Sequence, residues 1–545
     1  MSGIIIQIDG YLSSHPIFII TLIATGIFLT IYLRFPQIRL FKKAAILTLK
    51  GKPDDKQAAG EATHFQALAT ALSGTVGTGN IAGVALAVHL GGPSALLWML
   101  LTAVIGMTTK FAEVTLSHKY RIKLADGSVA GGPMFYMRER LNLKIGKKKI
   151  PTGKILAVIF SISTLVAAFG TGCLPQTNSM ANAVKSAFSV PQIITGAISA
   201  VLLGIVVLGG IKRIIKVTEK LVPFMGVIYF TGAVVVIMCN IENLIPGLKD
   251  IFCQVFTGAS ATGGFLGAGV SFALTKGVGR GLFSNEAGQG SSPIAHASAK
   301  CKQPADEGMV ALLEPFVDTV IICMLTGLMI VCSGVWKEKY DNVFQQSDML
   351  VIKKKTDNTK EILAAVSDKN YYFNGGLTVE SGRISDCNTT FIHNRSIAEN
   401  IFVTIDNQPY TGVIKVSDGK PETSELKIEG KSLLHSAPLT IKAFANSIFG
   451  NFGQYIVAFS LMLFAFSTGI AWCYYGDRAS IYLLGTKAVV PFRILYVAGF
   501  FIGAFTDTTV VWSVAGIGIV LMSMPNLLGL LILHKEIKEE MIKSE

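Results

Sequence analysis

Charged side chains are scarce in these 545 residues. Asp, Glu, Lys and Arg make up 15% of the chain, against about 25% in an average soluble protein. With 51% hydrophobic residues, that shortage excludes a soluble globular enzyme and leaves a polytopic membrane protein. HExxH, GxSxG and paired catalytic carboxylates in a span are missing, so enzymatic activity is not expected. No ring-forming filter string repeats, which argues against a channel. The eight cysteines have no CxxC or Cys/His spacing and read as small buried residues, not as metal ligands. Residues 1–15 contain neither Lys nor Arg, and the first apolar run (Pro16 to Leu33) is long enough to span, so a cleavable leader is not expected. The net charge of +13 collects beside apolar runs, which makes the lipid bilayer the expected partner and excludes nucleic acid.

What is present is a series of eleven apolar runs, at about 16–34, 65–90, 93–117, 154–182, 191–210, 220–240, 262–299, 308–334, 442–473, 488–505 and 508–534. Basic residues follow the first, third and fifth runs: Arg34, Arg39, Lys42 and Lys43, then Lys119, Arg121, Arg138 and Arg140, then Lys212, Arg213, Lys216 and Lys220. The alternate loops are nearly bare; the loop at 183–190 holds only Lys185. Short loops rich in Lys and Arg stay cytoplasmic. The N-terminus is therefore expected outside a plasma (inner) membrane, with the 535–545 tail in the cytoplasm. Residues 337–436 form a polar insertion with alternating strings, Ile401–Ile405 and Gly412–Val416, and turn signals at Asp406-Asn407 and Asp418-Gly419. That pattern predicts a small β-rich extracytoplasmic domain.

Two runs are interrupted. Ser73-Gly74-Thr75-Val76-Gly77-Thr78-Gly79-Asn80 puts three glycines and four polar side chains into the second, and Lys276 through Gly290 is glycine-rich in the seventh. Unwound backbone inside a membrane is tolerated only where it lines a cavity or site, and paired broken spans point to a secondary transporter. After a first helix and basic linker (1–62), five runs occupy 63–240 and five occupy 262–336 plus 437–534. Five is odd, so the halves enter from opposite sides as an inverted repeat. The expected fold is all-α: eleven transmembrane helices, a five-plus-five inverted repeat with one extra N-terminal helix, and the β-rich insertion. The half-helix after the break offers free N–H groups and a positive dipole end, which suit an anionic group on a transported solute. Thr75, Gly77, Thr78, Gly79 and Asn80 are the candidate substrate-binding residues there.

Four strings resemble the alanine or glycine:cation symporter family: Ala69–Ala85, Gly131–Met137, Arg280–Ala299 and Phe464–Trp472. The resemblance implies a LeuT-type fold and symport of a small neutral amino acid with sodium. It further implies that Gln176 contacts the substrate's polar end and that Phe283 and Trp472 wall the side-chain pocket. A co-transported sodium ion would take the carbonyls of Ser73 and Val76 and the hydroxyls of Ser467 and Thr468, and Asn80 is open between the substrate carboxylate and a second sodium. The insertion departs from the compact family pattern. A proton-coupled carrier on the same fold is the alternative, with Asp318 or Glu286 in place of the hydroxyl ligands. Asp507 is a further intramembrane carboxylate in question, and Lys110 and Glu113, three apart in the third run, are expected to pair.

Overall fold

The computed structural model describes residues 5, 8, 9, 11, 12, 15–125, 127–145, 148–257, 265–344, 346–385, 388–422, 426–506 and 509–545. Asp507 lies outside them. The principal helices are α1 (Pro16–Tyr32), α2 (His64–Thr75), α3 (Gly79–Gly91), α4 (Ala95–Lys119), α5 (Thr152–Phe188), α6 (Gln192–Val207), α7 (Gly210–Cys239), α8 (Leu244–Thr257), α9 (Val270–Asn285), α10 (Pro304–Ser333), α11 (Ser436–Ala445), α12 (Gly453–Leu484), α13 (Val489–Gly503), α14 (Thr509–Ile532) and α15 (His534–Ser544). Among the described residues seven helices are long and apolar enough to cross a membrane, or eight if α2 and α3 make one bent span. The molecule is a mostly helical membrane protein.

α2 starts on a capping box: Thr63 accepts from the Gln66 amide while the Gln66 side chain accepts from Thr63 N. It stops at Thr75 because Val76 turns extended, and α3 resumes at Gly79 at an angle of 55°. Three helices around this point carry a π turn, at Gly79–Gly83, Ala168–Cys173 and Phe316–Cys323. Such turns are rare and concentrate at functional sites.

The second break lies at the C-terminal end of the glycine run. α9 continues unbroken through Gly277, Gly279 and Gly281, and the chain leaves the helix at Glu286 (φ 54°), Gly288 (φ 88°) and Gly290 (φ 80°). Gly277 and Gly281 serve close packing: a Cβ at Gly277 would strike Ala95 O, and one at Gly281 would stand 3.2 Å from Met99 Cα. The expected span at 442–473 divides too. α11 ends at Asn446, Gly450 takes φ 49°, and the long helix is α12. α7 begins at Gly210 because its basic stretch is the exposed first turns of the same helix. The amphipathic α8 has no counterpart among the expected spans.

The described residues of 339–433 include three antiparallel sheets. One aligns Gln408–Pro409, Glu399–Ile405, Lys427–Leu433 and Lys339–Phe344; another aligns Lys420–Pro421, Gly412–Ser417, Gly375–Glu380 and Arg383–Ile384. A third holds Ser396–Ile397, Thr390–His393 and Met349–Ile352. Asp406-Asn407 and Asp418-Gly419 turn with both residues at positive φ, the geometry that matches strand twist in a two-residue hairpin. Leu377, Val379, Val403, Ile414 and Val416 make a separate small core. The segment rests on α9, where the Arg395 guanidinium lies 3.9 Å over the Phe272 ring.

Candidate functional site

The break between α2 and α3 frees backbone groups, and one side chain from α3 and one from α5 take them up. Gly77 N donates to Asn80 Oδ1 at 2.8 Å, and Thr78 N to Gln176 Oε1 at 3.4 Å. Gln176 is placed by a local accident of sequence. Pro175 has no N–H, so the carbonyl four residues earlier loses its helical partner, and Gln176 Nε2 donates to that carbonyl, Thr171 O, at 3.1 Å. Gly77 has no room for a side chain: a Cβ would stand 2.5 Å from Thr468 Oγ1.

On the other side of the break, α12 meets α2. Ser73 Oγ donates to Ser467 O at 2.7 Å, Ser467 Oγ to Ser73 Oγ at 2.8 Å, and Thr468 Oγ1 to Val76 O at 3.4 Å. Thr468 also bonds back to Phe464 O at 3.0 Å, as hydroxyls inside helices commonly do. These four residues are buried, and they bring hydroxyl and carbonyl oxygens into one place. Oxygen ligands suit a hard cation. Among the described residues, Thr75 bonds only its own helix, to Leu72 O at 3.5 Å.

Asn80 does not face the cavity. Its Nδ2 donates to Asp318 Oδ1 at 2.6 Å, while Ser284 and Thr319 donate to Asp318 Oδ2 at 2.8 and 2.7 Å. The π turns of α3 and α10 are thereby tied to α9 through one carboxylate.

A cavity of about 830 Å³ opens toward the strand-rich segment, where Asn342, Val343 and His435 form its rim. It descends to Thr78, Gly79 and Phe283. Phe283 faces Trp512 at 5.5 Å between ring centroids, and both line the cavity. Arg280 lines it as well. Neither Trp512 nor Arg280 stands out in the sequence: an aromatic in a span is ordinarily packing, and the glycine run conceals that α9 continues as a helix past Arg280. Trp472 is fully buried outside the cavity lining; its indole donates to Glu286 Oε1 at 3.2 Å and braces the second break. Gly77, Asn80 and Gln176 stand behind the cavity wall.

The opposite face is shut. His64 bonds Glu307 Oε2 at 2.5 Å and Asp55 Oδ2 at 3.2 Å, and His296 bonds Glu307 Oε1 at 2.6 Å. Lys110 does not pair with Glu113; it reaches Ser292 and Glu314, the latter at 3.1 Å. Glu113 accepts from Asn526, which also donates to Gly288 O at 2.9 Å. Helical spacing puts both side chains on one face, but α4 passes between two different neighbours. Arg121 adds donors to Ala59 O, Ala297 O, Ala299 O and Cys301 O.

The chain has relatives along almost its whole length. The profile of the sodium:alanine symporter family matches residues 1–366 and 411–544. A sodium/alanine symporter of Methanococcus maripaludis is 35% identical over 525 residues, 96% of this chain and 93% of that protein. An uncharacterized transporter of Haemophilus influenzae is 34% identical over 99% of this chain and 95% of its own length. A Bacillus subtilis protein whose name assigns it as a putative sodium/proton-dependent alanine carrier is 36% identical over 62% of this chain and 65% of its own length.

Proposed function

The chain belongs to the sodium:alanine symporter family, so it is a cation-coupled amino-acid transporter, and we propose that it symports a small neutral amino acid, alanine or glycine, with sodium by alternating access. One observation carries this reading: Ser73 and Val76 on α2 meet Ser467 and Thr468 on α12 beside the break. A sodium ion bound there bridges two helices that separate when the protein changes face. The substrate carboxylate lies against Thr78 and Gly79 at the head of α3, whose N–H groups and dipole favour an anion. Phe283 and Trp512 limit the side chain, which favours small substrates. Gly77, Asn80 and Gln176 hold the shape of the break; Thr75 closes α2, and Trp472 fixes Glu286 behind it.

In this reading the helices divide into a five-plus-five inverted repeat after α1, eleven spans in all. The basic loops lie in the cytoplasm, with the 535–545 tail, and the strand-rich segment and N-terminus lie outside.

Uptake of labelled alanine into proteoliposomes tests the proposal, with sodium and proton gradients imposed separately. Accumulation driven by sodium alone is expected. Ser467→Ala and Thr468→Ala should each raise the sodium concentration for half-maximal uptake about tenfold, equivalent to about 1.4 kcal/mol. Uptake driven only by protons would overturn the sodium assignment. A second reading then takes over, favoured by the buried Asp318 carboxylate with its three donors, and Asp318→Asn should abolish proton-driven uptake.

A further inference from the structure

Beside the cavity, where His435 lines it, Asp348, His393 and His435 converge. The fold explains why. Asp348 immediately precedes strand Met349–Ile352, whose first residue is registered against His393. Asn394 N donates to Asp348 O at 2.9 Å and locks that end of the pair. Strand Lys427–Leu433 then brings Ser432 Oγ to 3.1 Å from His393 Nδ1 and delivers His435 at the start of α11. One candidate ligand atom from each of the three residues lies within 4.8 Å of the others.

The two imidazoles are held alike. His393 meets Ser432 through Nδ1, and His435 meets Ser436 Oγ through Nδ1 at 3.1 Å. His435 Nε2 stands 3.2 Å from Asp348 Oδ2. His393 is buried, and its Nε2 has no hydrogen-bond partner among the described residues. A buried polar nitrogen left bare costs free energy, so something else must satisfy it. Beside them lies His89 of α3, its ring 5.4 Å from that of His435. Its Nδ1 bonds Leu434 O at 3.0 Å, and its Nε2 is likewise buried without a partner among the described residues. Imidazoles anchored through one nitrogen with the other bare are characteristic of metal ligands.

We propose that Asp348, His393 and His435 bind a divalent transition-metal cation of the zinc class, with His89 closing the shell. Two imidazole nitrogens and one carboxylate oxygen suit zinc, whereas calcium and magnesium take oxygen ligands. Bonds of about 2.0–2.2 Å set tetrahedral ligand atoms about 3.3 Å apart. The Asp348–His435 gap already has that size, and the His393 nitrogen needs to close by no more than about 1.5 Å. A cation here fastens the strand-rich segment to α11 and, through His89, to the far half of the broken helix.

Binding is read without any transported substrate, so the test is independent of the transport reading. The full-length protein, purified in detergent and stripped of metal, is titrated with zinc chloride against a chromophoric chelator, and with cobalt(II) for its visible absorption. One ion per chain is expected, with a zinc-dependent rise in melting temperature. His393→Ala and Asp348→Asn should each weaken binding about tenfold or more and remove that rise. If His393→Ala does not fold, the half-buried His435→Gln decides the same point. No binding by the unaltered protein, undiminished binding by the variants, or equal binding of magnesium or calcium would overturn the site.

Discussion

At Gly77 the space for a side chain is set by two other helices. A Cβ would stand 2.5 Å from Thr468 Oγ1 and 3.5 Å from Gln176 Oε1, so even alanine must push α12 away from the break. Gly79, two residues on, is different: its Cβ would meet only Phe283 ring carbons at 3.8 Å, ordinary contact. Gly77→Ala should therefore lower the melting temperature in detergent, while Gly79→Ala, at a position proposed to touch the substrate, keeps it. Equal losses would show that both glycines act through chain flexibility alone. This contrast was not legible in the sequence, where the glycines look alike. The run as a break was legible, because polar residues and glycines inside an apolar stretch have few other uses. Asn80 illustrates the limit. Its type suggests a ligand, but its amide is spent on Asp318, 238 residues away.

At the scale of the element, glycine misled for a physical reason. It permits positive φ and it permits close packing, and a sequence does not distinguish the two. On α9 the glycines at 277 and 281 pack against α4, whereas those at 288 and 290 turn the chain. Gly277→Ala should lower the melting temperature in detergent and separate α9 from α4. A Cβ at Gly279 would meet nothing within 4 Å, so Gly279→Ala should leave stability unchanged or raise it by about 0.5–1 kcal/mol through helix propensity. Similar melting behaviour in both variants would refute the packing role. The terminal helix α15 makes a further case. Burial alone would raise the Glu540 carboxyl, but hydrogen bonds from Lys543 and Lys119 hold it below the ordinary carboxylate range. A depressed carboxyl stabilises above its unfolded pKa of about 4.3, and the contribution fades as pH falls through the folded value. Docking of α15, read by protease accessibility, should thus persist at neutral pH and loosen only in acid.

For the whole molecule, composition and spacing made a membrane transporter legible, because hydrophobic length and charge bias are local properties. Which face is open was not legible, since it depends on contacts between residues far apart in sequence. The cavity opens toward the strand-rich segment, while the other face is closed by a chain of polar groups running from Asp55 through His64, Glu307 and His296. Glu307 is the centre of that chain, bonded at once to the first residue of α2 and to the segment after the second break. Backbone bonds reinforce it: Glu61 N and Ala62 N donate to Ser298 O, and Lys300 N to Ala62 O at 2.7 Å. If this network is the gate, removing the Glu307 charge should shift the population toward the opposite opening without unfolding the helices. Cys301 reports on it, being 2% exposed beneath the network with its thiol donating to Gln303 O at 3.0 Å. In Glu307→Gln, alkylation localised to Cys301 by peptide mass spectrometry should quicken about tenfold, a population shift of about 1.4 kcal/mol. Sodium should slow it again if the ion joins α2 to α12. Unchanged labelling in the variant would mean that the backbone bonds, not the buried ion pairs, keep that face shut.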